Sequence, residues 1–397
     1  MLKNNDEVNN HLLSFVWLML FIMPNNMMFY IFVPVAFIVL YRLTDYLPKT
    51  IFLGLLIGCL SFNLLCNLSE DYLLWKDKFR VIVLILLFIS FARLKGEKIL
   101  KQYIYVAILF LVLTQMSFAF NISFITDIVK TFYAEGSEYA ERKLTNYYSY
   151  DLANYGIARL GGIFFNPNQY ARNLELIFIT LLCESKQFRR LDFFILIPII
   201  IFSILATGSR TSLIVLIIII IMHFYSTKII TVRNFFIIGL IAGILIPYLM
   251  ANTNLGDFRS LKIDEGMDNS FGIKLQLLSM YFKSIVDPMT LIIGNISYDI
   301  LIYKYGIQII GTDFDIGNII ILYGFSFFIL YTIFCIIIYK KMLPQYRIVF
   351  CILIWMFSSS IICSYRMAPS FILILGLYYR RSLIEKSKCL IKNTLAH

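Results

Sequence analysis

The sequence predicts an all-α polytopic membrane protein with about twelve transmembrane helices and two long loops on its outer side. Three observations carry this. The 397-residue chain is 60% hydrophobic and 15% charged, with a mean hydropathy of +0.79. Soluble chains run nearer half apolar and a quarter charged. The apolar residues also fall in nearly uncharged runs, such as 193–207, 212–225, 235–250 and 316–339. About 20 such residues cross a bilayer, or about 17 where it is thin. Finally, the basic residues concentrate on alternate connections between the runs.

The spans are expected at 12–23, 27–41, 50–66, 80–94, 103–120, 166–183, 192–207, 211–226, 235–251, 316–339, 348–364 and 368–379. The first follows Lys3 and lacks a small-residue cleavage site, so it reads as an uncleaved anchor and not as a signal peptide. Pro24-Asn25-Asn26 turns the chain into the second span. After the fifth comes the first long loop, 121–165, rich in tyrosine (Tyr133, Tyr139, Tyr147, Tyr148, Tyr150, Tyr155). Tight turns then carry the chain through four spans to the second long loop, 252–315, which holds an amphipathic stretch at 273–285. Three more spans lead to a basic tail at 380–397. Residues 1–397 are expected to form a single integral membrane domain. Loops of this length between tight hairpins are usually functional or disordered.

With the N-terminus placed in the cytoplasm, the inner segments are 1–11, 42–49, 93–101, 184–191, 227–234, 340–347 and 380–397. They hold 20 of the 35 Lys/Arg. This is the positive-inside bias, and it puts both termini inside and both long loops outside. The net charge of +11 is then explained by the inner face and its anionic lipids. No nucleic-acid partner is expected. The seven cysteines and three histidines form no CxxC, no HExxH and no cluster, so neither a metal nor a cofactor is expected. There is no P-loop, nucleophile elbow or Rossmann fingerprint.

Charge at or within a membrane is costly, and it marks candidate sites. Three polar clusters qualify. The first runs from Arg159 through Gly161-Gly162 to Asn166-Pro167-Asn168-Gln169-Tyr170-Ala171-Arg172. Asn166 suits a helix N-cap and Pro167 a first turn. Spacings of four and three put Asn168, Arg172 and Glu175 on one helical face. Arg172 and Glu175 either neutralise each other or line a polar cavity. The second cluster is Ala206-Thr207-Gly208-Ser209-Arg210-Thr211-Ser212, a polar turn at the outer rim. Arg210 there is either a snorkelling arginine or the partner of an anion. The third holds Lys274, then Asp313 and Asp315 before a long span with Gly324 one turn inside it. Both carboxylates suit a helix N-terminus, and either would serve as a general base toward a sugar hydroxyl.

The GGIFFNPNQYA segment opening one helix, the TGSRTSL turn between two apolar spans, and the later IIGN and TDFDIGN…LYGF segments together resemble the O-antigen ligase/polymerase superfamily over roughly residues 155–345. The resemblance implies a glycosyltransferase C-like helical bundle in a bacterial inner membrane, with both long loops periplasmic. It implies an undecaprenyl-pyrophosphate-linked glycan as partner, with membrane lipids and a polysaccharide chain-length regulator as further ones. Arg159 and Arg210 would hold the pyrophosphate, with Asn166, Asn168, Arg172, Arg259 and Lys274 as supporting substrate contacts. Asp313 or Asp315 would lie near the acceptor sugar. Ligases of the superfamily carry a functional histidine in the large outer loop. Residues 252–315 contain none, which favours the polymerase branch. A lipid-linked oligosaccharide flippase is the alternative of another class.

Overall fold

The computed structural model describes residues 2–24, 33–44, 85–120, 122–133, 160–164, 167–224, 292, 315–357, 361 and 367–395. Among these residues the chain is helical and contains no strand. We number the helices α1 (Leu2–Ile22), α2 (Val33–Leu43), α3 (Lys101–Ala119), α4 (Ser123–Tyr133), α5 (Pro167–Cys183), α6 (Arg190–Leu205), α7 (Arg210–Phe224), α8 (Asp315–Lys341) and α9 (Met367–Leu395). A 3-10 segment, Pro344–Phe357, lies between α8 and α9. The expected spans at 50–66 and 235–251, and nearly all of the loop 252–315, lie outside the described residues.

Among the described residues two helices are long and apolar enough to cross a membrane, over Lys101–Phe118 and Tyr323–Lys341. Only 39% and 28% of those stretches is buried, whereas an apolar helix at the core of a soluble protein would be mostly covered. Further large apolar side chains lie open on α6, among them Leu191, Phe194, Ile195, Phe202 and Leu205. Contiguous apolar surface of this kind is rare on a protein that faces water.

Helix α5 is the hub. All but two of its 17 residues are buried, under α3, α6, α7, α9 and the 3-10 segment. The 3-10 segment occupies a place where the sequence predicts a span at 348–364. Its 14 residues rise about 2.0 Å each, for a length of roughly 28 Å, against about 21 Å for the same residues in an α-helix. Spacing of three also aligns Tyr346, Val349, Ile352 and Trp355 in one row, and all four are buried. Gly324, with φ 78° and ψ 170°, breaks α8 into a short entry helix and the long apolar one. A residue with a Cβ is strained at that φ.

The connections sort into two ends. At one end, Asn10 Oδ1 accepts the backbone N–H groups of Glu97 (2.9 Å) and Lys98 (3.2 Å), and Ser14 Oγ accepts that of Leu100. The Lys95 N–H donates to Leu43. Arg380 donates to the Gly96 carbonyl, and Arg381 meets Glu184 at 2.6 Å. The Leu343 N–H donates to Ser382, and the Tyr346 hydroxyl to Glu385 at 2.7 Å. Six of the seven segments assigned to the inner side by charge are thus tied together, and the seventh, 227–234, lies outside the described residues. Burial pushes the Glu184 carboxyl above the usual carboxylate range, with the Arg381 guanidinium opposing that shift.

Two boundaries differ from the sequence reading for one reason. Helix α1 begins at Leu2 and not near residue 12, because Asn10 and Ser14 find backbone partners and need not leave the bundle. At the other end of the chain, α9 runs on through residues 380–395 and carries Arg381, Ser382 and Glu385 into the same hydrogen-bonded cluster.

Candidate functional site

At the other end of the bundle two of the three polar motifs meet. The Leu160 N–H donates to the Ala206 carbonyl at 3.1 Å. This joins the chain beside Arg159 to the turn that leads into Arg210. Gln115, fully buried on α3, clamps the same junction. Its Nε2 donates to the Leu160 carbonyl at 3.0 Å and to the Ser203 carbonyl at 2.9 Å. Gly162 permits the approach. Its φ is 56°, and a Cβ there would stand 3.1 Å from the Tyr170 ring and 3.3 Å from the Gln115 backbone nitrogen. Gln115→Leu leaves two buried carbonyls unpaired, at about 1–3 kcal/mol each. The variant is expected to unfold earlier in detergent, as thermal denaturation will measure.

The 206–212 turn is built by its hydroxyls. Thr207 Oγ1 donates to the Ile204 carbonyl (2.6 Å), and Ser212 Oγ donates to that of Ser209 (2.6 Å). Arg210 becomes the first residue of α7, where unpaired N–H groups and the helix dipole favour an anion. The side chain of Arg210, and Arg159, Asn166, Asp313, Arg259 and Lys274 as a whole, lie outside the described residues.

The expected stripe on α5 faces inward. Arg172 is 1% exposed and Glu175 is 0% exposed. Arg172 Nε donates to the Asn168 carbonyl at 3.2 Å, and its guanidinium lies 5.7 Å from the centre of the Trp355 ring. The Trp355 indole N–H donates to Glu175, which also feels the charge of Arg172. Arg172 is therefore buried within the bundle, beside Trp355 and close enough to Glu175 to act on its charge. Glu175 sits eight residues from each end of α5, or about 12 Å from either.

Asp315, the first residue of α8, is fully buried. Its carboxylate accepts the backbone N–H of Ile361, so it joins α8 to the approach to α9. The role exceeds the local helix capping read from sequence.

Several residues of this region have no sequence motif. Gln115, Ser203 and Trp355 are all fully buried. Gln115 Oε1, and Asn173 Oδ1 on α5, have no hydrogen-bond partner, and the Tyr170 hydroxyl is buried beside that of Ser203. Buried polar atoms are ordinarily paired, so these set the region apart from the apolar core around it. The available signal was a lone glutamine inside an otherwise apolar run.

No family model, curated protein or solved structure matches the chain. Fold and site define the class directly: a protein that is helical throughout its described residues, two of the helices there being fit to cross a membrane, with a polar junction at the end of the bundle opposite its basic segments.

Proposed function

We propose that this chain is a membrane-embedded glycosyltransferase of about twelve spans and glycosyltransferase C-like architecture. It polymerises undecaprenyl-pyrophosphate-linked oligosaccharide repeats into a surface polysaccharide at the outer face of the bacterial inner membrane. The observation that carries this is the Leu160–Ala206 junction, locked by Gln115. It holds two arginine-bearing motifs together at the end of the bundle away from the Lys/Arg-rich segments.

The chemistry follows from the residue types. Arg159 and Arg210 grip the donor's pyrophosphate, since guanidinium groups meet phosphate oxygens through paired hydrogen bonds. A hydroxyl of the acceptor sugar attacks the donor's anomeric carbon, and the bond from that carbon to the pyrophosphate oxygen breaks. Undecaprenyl pyrophosphate leaves with its charge offset by the arginines. The acceptor proton passes to a carboxylate. Asp315 is already engaged by the Ile361 N–H, so Asp313 is the stronger choice of base. No metal is needed to balance the step.

Loss of the chain tests the reading against its rivals. A polymerase defect is expected to leave lipid A-core carrying one repeat unit, seen as a single band above the core on a polysaccharide gel. A core with no repeat, with lipid-linked polymer accumulating, would identify the ligase of the same superfamily. One observation favours the flippase reading: Glu175, an ionisable group at the middle of the central helix. That reading requires lipid-linked single repeats to accumulate on the cytoplasmic leaflet.

A further inference from the structure

We propose that α4 is an interfacial membrane helix whose Phe124–Ile128–Phe132 edge lies in the outer leaflet of the bilayer. The start of the segment 121–165 is then bound to lipid and is not a solvent loop. The inference rests on the membrane reading and is independent of the glycan chemistry.

The helix has three sectors. At about 100° per residue, Ile125, Val129 and Tyr133 fall on one side. Val129 is 1% exposed, and Ile125 and Tyr133 pack against the core. Ser123, Asp127 and Thr131 fall on a second side and are exposed. Between them lie Phe124, Ile128 and Phe132, which are 75%, 41% and 46% exposed. A helix meeting only protein and water would need two sectors. The third is apolar, open, and continuous along the helix.

Its position says what covers it. The chain does not leave the bundle after α3 but folds back along it. The Tyr133 ring lies 6.3 Å from that of Phe110, ten residues before Phe120, and the Tyr133 hydroxyl donates to the Ile22 carbonyl at the end of α1. Helix α4 thus lies beside the last turns of α3, which is fit to cross a membrane. The exposed edge of α3, Val106, Leu109 and Leu113, continues through Phe120 to Phe124, Ile128 and Phe132. Whatever solvates the outer half of α3 solvates this edge too. An amphipathic helix with aromatic residues on its apolar face and charge opposite is the form that lies in the plane of a lipid interface.

The test uses the unmodified full-length protein in vesicles of phosphatidylcholine and phosphatidylglycerol carrying a diazirine on the acyl chain. After photolysis, adducts are mapped by mass spectrometry. Adducts are expected on Phe124, Ile128 and Phe132 at a yield within about threefold of Leu109 and Leu113, and at least tenfold less on Asp127 and Thr131. Labelling of α3 with an unlabelled α4 overturns the proposal, whether water or another protein covers the edge. If α3 is unlabelled as well, the membrane reading itself is wrong and the proposal goes with it.

Discussion

Replacing Arg210 or Arg159 with alanine is expected to collapse a long polysaccharide ladder to a single repeat while the protein still inserts at normal level. The two residues flank a junction fixed by the Leu160–Ala206 hydrogen bond and by both protons of the Gln115 amide. In the proposed reaction their charges matter most as the pyrophosphate departs. Loss of one preorganised donor at such a centre typically lowers turnover about 100- to 1,000-fold, or roughly 2.7–4 kcal/mol in the barrier. Lysine keeps the charge but not the paired hydrogen bonds, so Arg210→Lys should give short ladders. Gel profiles, with immunoblots for membrane level, provide the measurement. A full-length ladder in both alanine variants would remove these residues from the site.

The long apolar elements were legible because their signal is composition over many residues. Helices stand where three of the expected spans fall: Pro167–Cys183 at 166–183, Arg190–Leu205 at 192–207 and Asp315–Lys341 at 316–339. The segments rich in Lys/Arg are also the ones that bond to one another at one end of the bundle. What escaped was local in geometry and remote in sequence. Nothing in Pro344–Phe357 announces a 3-10 helix, since its apolar residues suit either winding. The period of α4, with apolar residues at 124, 125, 128, 129, 132 and 133, was present in the sequence but lay inside a segment read as loop. Gln115 is the clearest case for the site. It acts on the carbonyls of residues 45 and 88 positions away, and no motif records a backbone acceptor. Conversely, the Arg172–Glu175 spacing permitted either a lined cavity or a neutral pair. Trp355, 180 residues from Glu175 in sequence, donates to it and lies beside Arg172.

That buried cluster supports a second large effect. Arg172→Met is expected to remove a cation beside Glu175 inside the bundle, and Glu175→Leu to leave the Trp355 indole N–H without its acceptor. Leaving a buried polar group without its partner costs about 1–3 kcal/mol, and more for a charged one, which is a large share of the stability of a typical domain. The double variant Arg172→Met/Glu175→Leu removes both charges and fills the space with apolar atoms. It should therefore be markedly more stable than either single variant, since an apolar replacement of a buried pair is often neutral or better. Thermal denaturation in detergent gives the stabilities, and the ladder gives the activity. Under the polymerase reading the double variant recovers both, because the pair holds α5 against the 3-10 segment and takes no part in bond making. A double variant that folds yet yields no polymer would instead assign Glu175 a chemical task at the centre of α5. In that event the buried carboxylate, and not the arginine junction at the bundle end, becomes the place to look for the protein's activity.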